Sequence, residues 1–244
     1  MNNTVMKNEL RATLDDLARA CRILAHEGYE DGTQGHLSWR DPEGRGLWLK
    51  RMGVPLGAIQ DADDFILIDF DGNQLAGSGR RHAEWPIHTE IMLARPDINV
   101  VGHGHPHFAT LFSALSVDFV PFVQYGYRVR GLRAARFDET SILILDKDQG
   151  QSLARALGDT YAVFMRNHGV TICGTGIADA AITGIFLERA CKAFFEVKAT
   201  GLDFRVPPPE ELAHQAKIFS SDWFLADNWG YFLDKLKERE QGAR

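Results

Sequence analysis

Residues 100–112 read VVGHGHPHFATLF, an apolar run led by two valines that ends in His103, His105 and His107 at alternate positions. On a strand, residues two apart point to one face and lie roughly 6.6 Å apart along it, so His103 and His105 can aim two imidazoles at one ion. Gly104 between them keeps that face uncrowded. Pro106 stops the strand, and a helix begins near His107. The competing reading has all three histidines capping a strand and a helix, which is the usual fate of a single histidine; the alternation favours ligands. His168, in MRNHGV at the end of another apolar run, offers a third imidazole where the loop ends of a sheet commonly carry function. Three neutral imidazoles would leave open positions on a divalent ion, the mark of a catalytic rather than a structural site. Spacing alone does not bring His168 to the pair.

Outward from this stretch the apolar period switches between helix and strand. Residues 7–28 place Leu10, Leu14, Leu17, Ala18, Cys21, Leu24 and Ala25 at helical spacing before HEGYEDGTQG breaks the pattern. HLSWR (36–40), GLWLK (46–50) and DFILIDF (64–70) read as strands, the last closed by the hairpin signal DGN. Glu84 to Arg95 reads as a helix, with Pro86 tolerated in its first turn. SILIL (141–145) predicts a strand, QGQSLARALG (149–158) a helix, and YAVFMRN (161–167) and GVTIC (169–173) strands. A long helix over 177–200 carries Ile182, Ile185, Phe186, Ala190, Ala193 and Phe194 on its apolar side. VPPPEEL then breaks the chain before a helical tail, 207–244, whose Trp223, Phe224, Trp229, Tyr231 and Phe232 read as packing. No repeat, low-complexity tract or linker divides the chain, which predicts a single domain over 1–244. The interleaving gives an α/β class, with a mixed sheet covered by helices.

Composition narrows the function. With 27 Lys and Arg against 33 Asp and Glu, the formal charge of -6 lacks the basic footprint of a nucleic-acid binder. No window approaches the roughly 18 apolar residues of a membrane span and the start has no signal-peptide stretch, so a soluble, cytoplasmic protein is expected. Cys21, Cys173 and Cys191 are odd in number, scattered and without a CxxC, which argues against a disulfide framework or a thiolate zinc site. Any metal must be held by imidazole and carboxylate. Glu84 is a candidate base beside it, but locally a first-turn glutamate reads as a helix-dipole partner, and His88 and Glu90 read as surface residues.

Together, AEWPIHTEIMLARPDINVVGHGHPHFA (83–109) and MRNHGVTICG (165–174) resemble the class II aldolase/adducin family, in order and spacing that run from about residue 10 to about residue 200. The resemblance implies a three-layer α/β/α sandwich with a central mixed, mainly antiparallel sheet. It also implies a homotetramer with active sites at subunit interfaces and one divalent ion per chain. Zinc or manganese is expected, and iron or cobalt would also suit imidazole ligands. Carried over by position, His103, His105 and His168 become the ligands and Glu84 the acid/base, which replaces its reading as a dipole partner; His107 becomes structural.

Two departures bear on substrate. Sugar-phosphate aldolases of the family usually show GlyAsn before a ValSer or IleSer strand, and a SerSer pair before the glutamate. Here TQGHLSWR puts His36 at the asparagine, and RRHAEW puts His82 and Ala83 at the serines. The GHLS form resembles branches that act on unphosphorylated carboxylates, including decarboxylases of hydroxylated aromatic or pyridine dicarboxylates. His36, Ser38, His82, Arg80 and Arg81 are therefore the expected substrate-binding residues, the arginines either as bidentate carboxylate partners or as exposed charge. In QYGYRVRGLRAAR (124–136), Tyr125 or Tyr127 corresponds loosely to a tyrosine that assists proton transfer from a neighbouring subunit, and the arginines read as interface or solvated face. The expected activity is decarboxylation of a hydroxylated carboxylate through a metal-stabilised enolate-like state. The alternatives are aldol cleavage of a hydroxy-carbonyl or sugar-phosphate substrate and a non-catalytic adducin-like binding module, the last disfavoured by the complete set of His103, His105, His168 and Glu84.

Overall fold

The computed structural model describes residues 3–242. Helix α1 (Asn3–Leu24) buries Leu14, Leu17, Ala18, Cys21 and Leu24, and it ends through a wider turn closed at Gly28, whose φ of 100° is open to glycine. Four strands follow: β1 (His36–Arg40), β2 (Leu47–Lys50), β3 (Phe65–Ile68) and β4 (Gln74–Ala76). The β3–β4 turn is held by the Asp69 carboxylate, which accepts from the Asp71 and Asn73 backbone N–H groups and from the Asn73 amide. Next come α2 (Trp85–Ala94), β5 (Val100–Gly104), α3 (His107–Ser113), α4 (Gln124–Tyr127), β6 (Ala135–Phe137), α5 (Lys147–Leu157), β7 (Ala162–Met165) and β8 (Gly169–Gly174). The chain continues through α6 (Ile177–Ala199), α7 (Pro209–Phe219) and α8 (Asp222–Gly242).

The eight described strands form one sheet in the order β4-β3-β2-β1-β5-β8-β7-β6. Its pairs are antiparallel except β6 with β7, so the sheet is mixed and mainly antiparallel. The period of two sorts its side chains between two cores. Leu37, Val100, Ala162, Phe164, Val170 and Ile172 pack with α1, α3, α6 and α8 on one face. Leu47, Leu49, Ile66, Val101, Val163, Met165 and Cys173 pack with α2 and α5 on the other. These are the three layers expected. His103 and His36 take the α2 face, because Val101 and Val100 already fix the alternation of β5 and Leu37 that of β1.

Three expectations change. SILIL forms no strand; the sheet's edge is instead Ala135–Phe137, parallel to β7. Side chains take the donors that a ladder would need: Ile142 N–H goes to Thr140 Oγ1, Ile144 N–H to Glu84 Oε1 and Leu145 N–H to Gln149 Oε1. Only Ile144 of its apolar residues is buried, while Ile142, Leu143 and Leu145 are exposed. Helix α6 is buried almost all round from Asp179 to Cys191, because α1, α3, α4, α8 and β8 all lie against it. Its Gly184 makes this possible, since a Cβ there would sit 2.6 Å from Ile172 Cδ1. His88 and Glu90 are buried rather than surface residues, because α2 is closed between the sheet and α5. In the tail, Phe224 and Phe232 pack as expected, together with Leu236, whereas Trp223 and Tyr231, read as packing, are exposed on the single chain.

The first core depends on an aromatic stack in which Phe112 lies 4.7 Å from Phe164 and 5.1 Å from Phe194, centroid to centroid. Phe164→Ala should destabilise the fold by about 3–5 kcal/mol, read as a lower denaturant midpoint at an unchanged slope.

Candidate active site

The site grows from the register of three strands. His36 on β1 pairs with His103 on β5, which pairs with Thr171 on β8, so the three side chains stand in a row on the α2 face. One residue beyond β5, His105 turns toward the same space. His168 arrives on the three-residue connection between β7 and β8, where Asn167 takes the left-handed conformation (φ 55°) that asparagine tolerates. Gly169 lets these parts close together, because a Cβ there would lie 2.6 Å from both Gly104 O and His105 Cδ2. Beyond Pro106, Glu188 of α6 accepts the first α3 N–H groups, Phe108 at 2.9 Å and Ala109 at 2.7 Å, which fixes the chain where it leaves the site.

His103, His105 and His168 each bring a ligand atom within 4.8 Å of the others. The Nε2 atoms of His103 and His105 and both nitrogens of His168 are buried without a hydrogen-bond partner. The opposite edges of the first two rings are occupied: His105 Nδ1 donates to Asp31 Oδ2 at 2.9 Å, and His103 Nδ1 lies 3.4 Å from Thr171 Oγ1, whose own proton goes to Met165 Sδ. Each of those Nε2 atoms is thus a bare lone pair. Orphaned acceptors converging in a buried space fit a divalent cation, and partners on the far edge of each ring are what orient imidazole ligands.

Glu84 occupies the N-cap position of α2 but makes no capping hydrogen bond with its side chain. Its carboxylate spans the histidines instead, with Oε2 3.7 Å from His103 Nε2 and Oε1 3.7 Å from His168 Nε2. Oε1 also accepts the Ile144 N–H at 3.0 Å. Burial raises its pKa above the ordinary glutamate value, against the opposing pull of that N–H. A proton is held more readily here than on an exposed glutamate.

Behind the ligands lies a second tier. His36 Nδ1 is 2.6 Å from His88 Nε2, and His88 Nδ1 is 2.7 Å from Ser38 Oγ. The His82 ring packs 4.3 Å from that of His36, and its Nε2 stands 3.4 Å from the buried Lys50 ammonium, which donates to Val54 O. His88 is one helical turn after Glu84, so both project from the same side of α2. That i,i+4 spacing was the available signal for His88; Lys50 and Asp31 carry none, since only the fold brings them here.

The remaining expected residues lie elsewhere. Arg81 donates to Gly72 O and covers the Trp85 ring at 4.7 Å, and Arg80 is exposed. Tyr125 stacks near Phe186 of α6, and the Tyr127 hydroxyl reaches Phe122 O, both on the face of the sheet away from Glu84. Within one chain neither tyrosine joins the histidines. His107 stands at the start of α3 against Phe108. The arginines of 128–136 are engaged: Arg128 over Phe186, Arg130 with Asp179, Arg133 with Asp159 and Arg136 with Ser113 O.

Burial holds this cluster neutral. It pushes His82 and His88 down to about 3 and His168 to about 4, and lowers His36 and His103 well below the usual histidine value. The unfolded chain protonates its histidines near pH 6.5, whereas these folded ones refuse the proton until far lower pH. Stability from this source is therefore fully present above about pH 6.5 and is lost as pH falls toward the folded values. Chelator-treated protein should show a falling thermal midpoint from pH 7 to about pH 5, before most carboxylates titrate; a flat profile there would contradict neutral burial.

The geometry has relatives. The family model for the Class II Aldolase and Adducin N-terminal domain matches residues 15–195. The 3,4-dihydroxyphthalate decarboxylase of Arthrobacter keyseri is 30% identical over 238 residues, 93% of this chain and 92% of its own. Decarboxylase NovR of Streptomyces niveus is 30% identical over 194 residues, 78% of this chain and 71% of its own. In fold, the structure of L-fuculose 1-phosphate aldolase from Glaciozyma antarctica PI12 superposes with a TM-score of 0.81 at 24% identity, over 95% of this chain and 91% of its own. With the mixed sheet, the three converging histidines and Glu84 astride them, the chain belongs to the class II aldolase and adducin family.

Proposed function

We propose that the protein is a divalent-metal-dependent carbon-carbon lyase that decarboxylates a hydroxylated aromatic or heteroaromatic carboxylate. The observation that carries this reading is the Glu84 carboxylate, buried and 3.7 Å from the free nitrogens of both His103 and His168. The decarboxylase names of the relatives at 30% identity support the choice of substrate class. His103, His105 and His168 would hold one ion, zinc or manganese among imidazole-friendly metals. When bound there, a divalent cation supplies Lewis-acid stabilisation of electrons left on carbon.

The chain's own residues account for the proton. Decarboxylation breaks the bond between a substrate carbon and its carboxylate carbon, CO2 leaves, and the electron pair stays on the substrate carbon, which then needs one proton. Glu84 can hold that proton, because its burial favours the neutral form, and the Ile144 N–H keeps Oε1 in place. His36 and His82 stand where sugar-phosphate aldolases of the family carry small polar groups, which supports a substrate without a phosphate.

The test is product analysis on metal-loaded protein, with CO2 release from dihydroxybenzene dicarboxylates run beside aldehyde release from hydroxy-carbonyl compounds and sugar phosphates. Glu84→Gln should lower CO2 release at least about 100-fold while the ion stays bound, and His103→Ala should lose the ion. Efficient cleavage of a sugar phosphate would make the enzyme an aldolase. A chain that binds no divalent ion and has no activity with any would return the adducin-like binding module.

The same reading includes a homotetramer. Ile142, Leu143 and Leu145 are exposed on the segment that holds Glu84, and Tyr125 is 44% exposed; both are surfaces that a neighbouring subunit would cover. Sedimentation should give about four times the monomer mass, and a monomer at micromolar concentration would remove this part of the reading.

A further inference from the structure

We propose that Ser38 and His88 are positioning residues that hold His36 as a hydrogen-bond acceptor, so that the site selects a substrate hydroxyl over a carboxylate or phosphate at that point. The inference rests on the reading above for its substrate class and adds which substrate group meets His36.

The direction of the chain follows from a group that can only accept. Ser38 Oγ donates to Val101 O at 3.4 Å and lies 2.7 Å from His88 Nδ1. A carbonyl oxygen has no proton to give, so the Ser38 hydroxyl spends its one proton on Val101 O and its oxygen accepts from His88 Nδ1–H. A neutral imidazole has a single N–H, which leaves His88 Nε2 bare. His36 Nδ1, 2.6 Å away, must then be the donor. Its one proton is spent there, and His36 Nε2 is left as a lone pair.

Burial makes the assignment rigid. His36 is 2% and His88 0% exposed, so the bond between the two rings is shielded from water. His82, beside Lys50 Nζ, packs on the His36 ring and restrains its rotation. His36 also shares the active space, since it, Glu84 and His103 each bring a ligand atom within 4.8 Å of one another. An anionic oxygen opposite His36 Nε2 would set lone pair against lone pair in a buried place. A hydroxyl there donates instead, and a site built around one such bond rejects the analogue that lacks it.

The experiment uses the full chain labelled with 13C and 15N histidine and loaded with zinc, which is diamagnetic. Ring carbon and nitrogen shifts should place the proton of both His36 and His88 on Nδ1, with zinc moving the Nε2 signals of the three ligands and leaving that of His36. In parallel, dissociation constants are measured for hydroxylated benzoates against phthalates without hydroxyls. Wild type should prefer the hydroxylated ligand by at least about tenfold. His88→Leu should erase most of that preference at unchanged zinc affinity, and His88→Gln should restore part of it. A proton on His36 Nε2, zinc coordination by His36, or a preference unchanged in folded His88→Leu would overturn the inference. If His88→Leu does not fold, the spectra of the unsubstituted protein decide alone. Acceptor geometry and hydroxyl preference without CO2 release from any carboxylate would leave the inference standing and remove the proposed reaction.

Discussion

The Nε2 atoms of His103 and His105 and both nitrogens of His168 are buried without a hydrogen-bond partner, and the rest of the structure is organised around tolerating that. A buried acceptor without a donor costs about 1–3 kcal/mol, and none of these atoms has a partner among the described residues. Protonating the rings would relieve the mismatch only by burying positive charges side by side, which burial resists, as the depressed pKa values of His103 and His168 register. A divalent cation resolves the conflict without adding a proton. The fold keeps the imidazoles from escaping it in other ways: Asp31 and Thr171 hold the far edges of His105 and His103, and Gly169 lets the β7–β8 connection come close enough to deliver His168.

Rigid elements supply what loops could not. His36 and His103 are tied into three adjacent strands whose register sets their spacing, and α2 contributes Glu84 and His88 from successive turns. Glu84 gives up the capping role that its position offers, and the N–H of Ile144 takes its place as the partner that fixes it. A residue at a helix start is well suited to this, because the backbone behind it is anchored while its side chain is free to leave the helix axis.

The parts of this arrangement that depend on local pattern were legible in the sequence. HLSWR forms β1 with the bounds its alternation suggested, and the HisXHis pair leaves an apolar strand as its spacing required. What failed was what depends on partners far along the chain. SILIL has strand-like residues, but its backbone donors are claimed by Thr140, Glu84 and Gln149, two of them local side chains and one 60 residues away. His88 was lost for a different reason. Amphipathic reasoning needs a wet face to point to, and α2 has little of one from Trp85 to Met92, so the period did not mark His88 as buried, and only its i,i+4 spacing from Glu84 tied it to the site. Asp31 sits in a turn whose composition announces only a turn.

A buried polar chain earns its place only if it is fully satisfied, and Ser38, His88 and His36 meet that condition at every joint but the last. The carbonyl of Val101 sets the direction at one end, and each neutral ring passes it on, because a single N–H cannot serve two acceptors. The unsatisfied joint is His36 Nε2, and it opens onto the space that Glu84 and His103 share. Stability alone would favour closing that joint with a donor from the protein, or replacing the chain with apolar side chains like those of the core beneath it. Leaving it open, at the one point where it meets the active space, assigns the missing donor to the substrate.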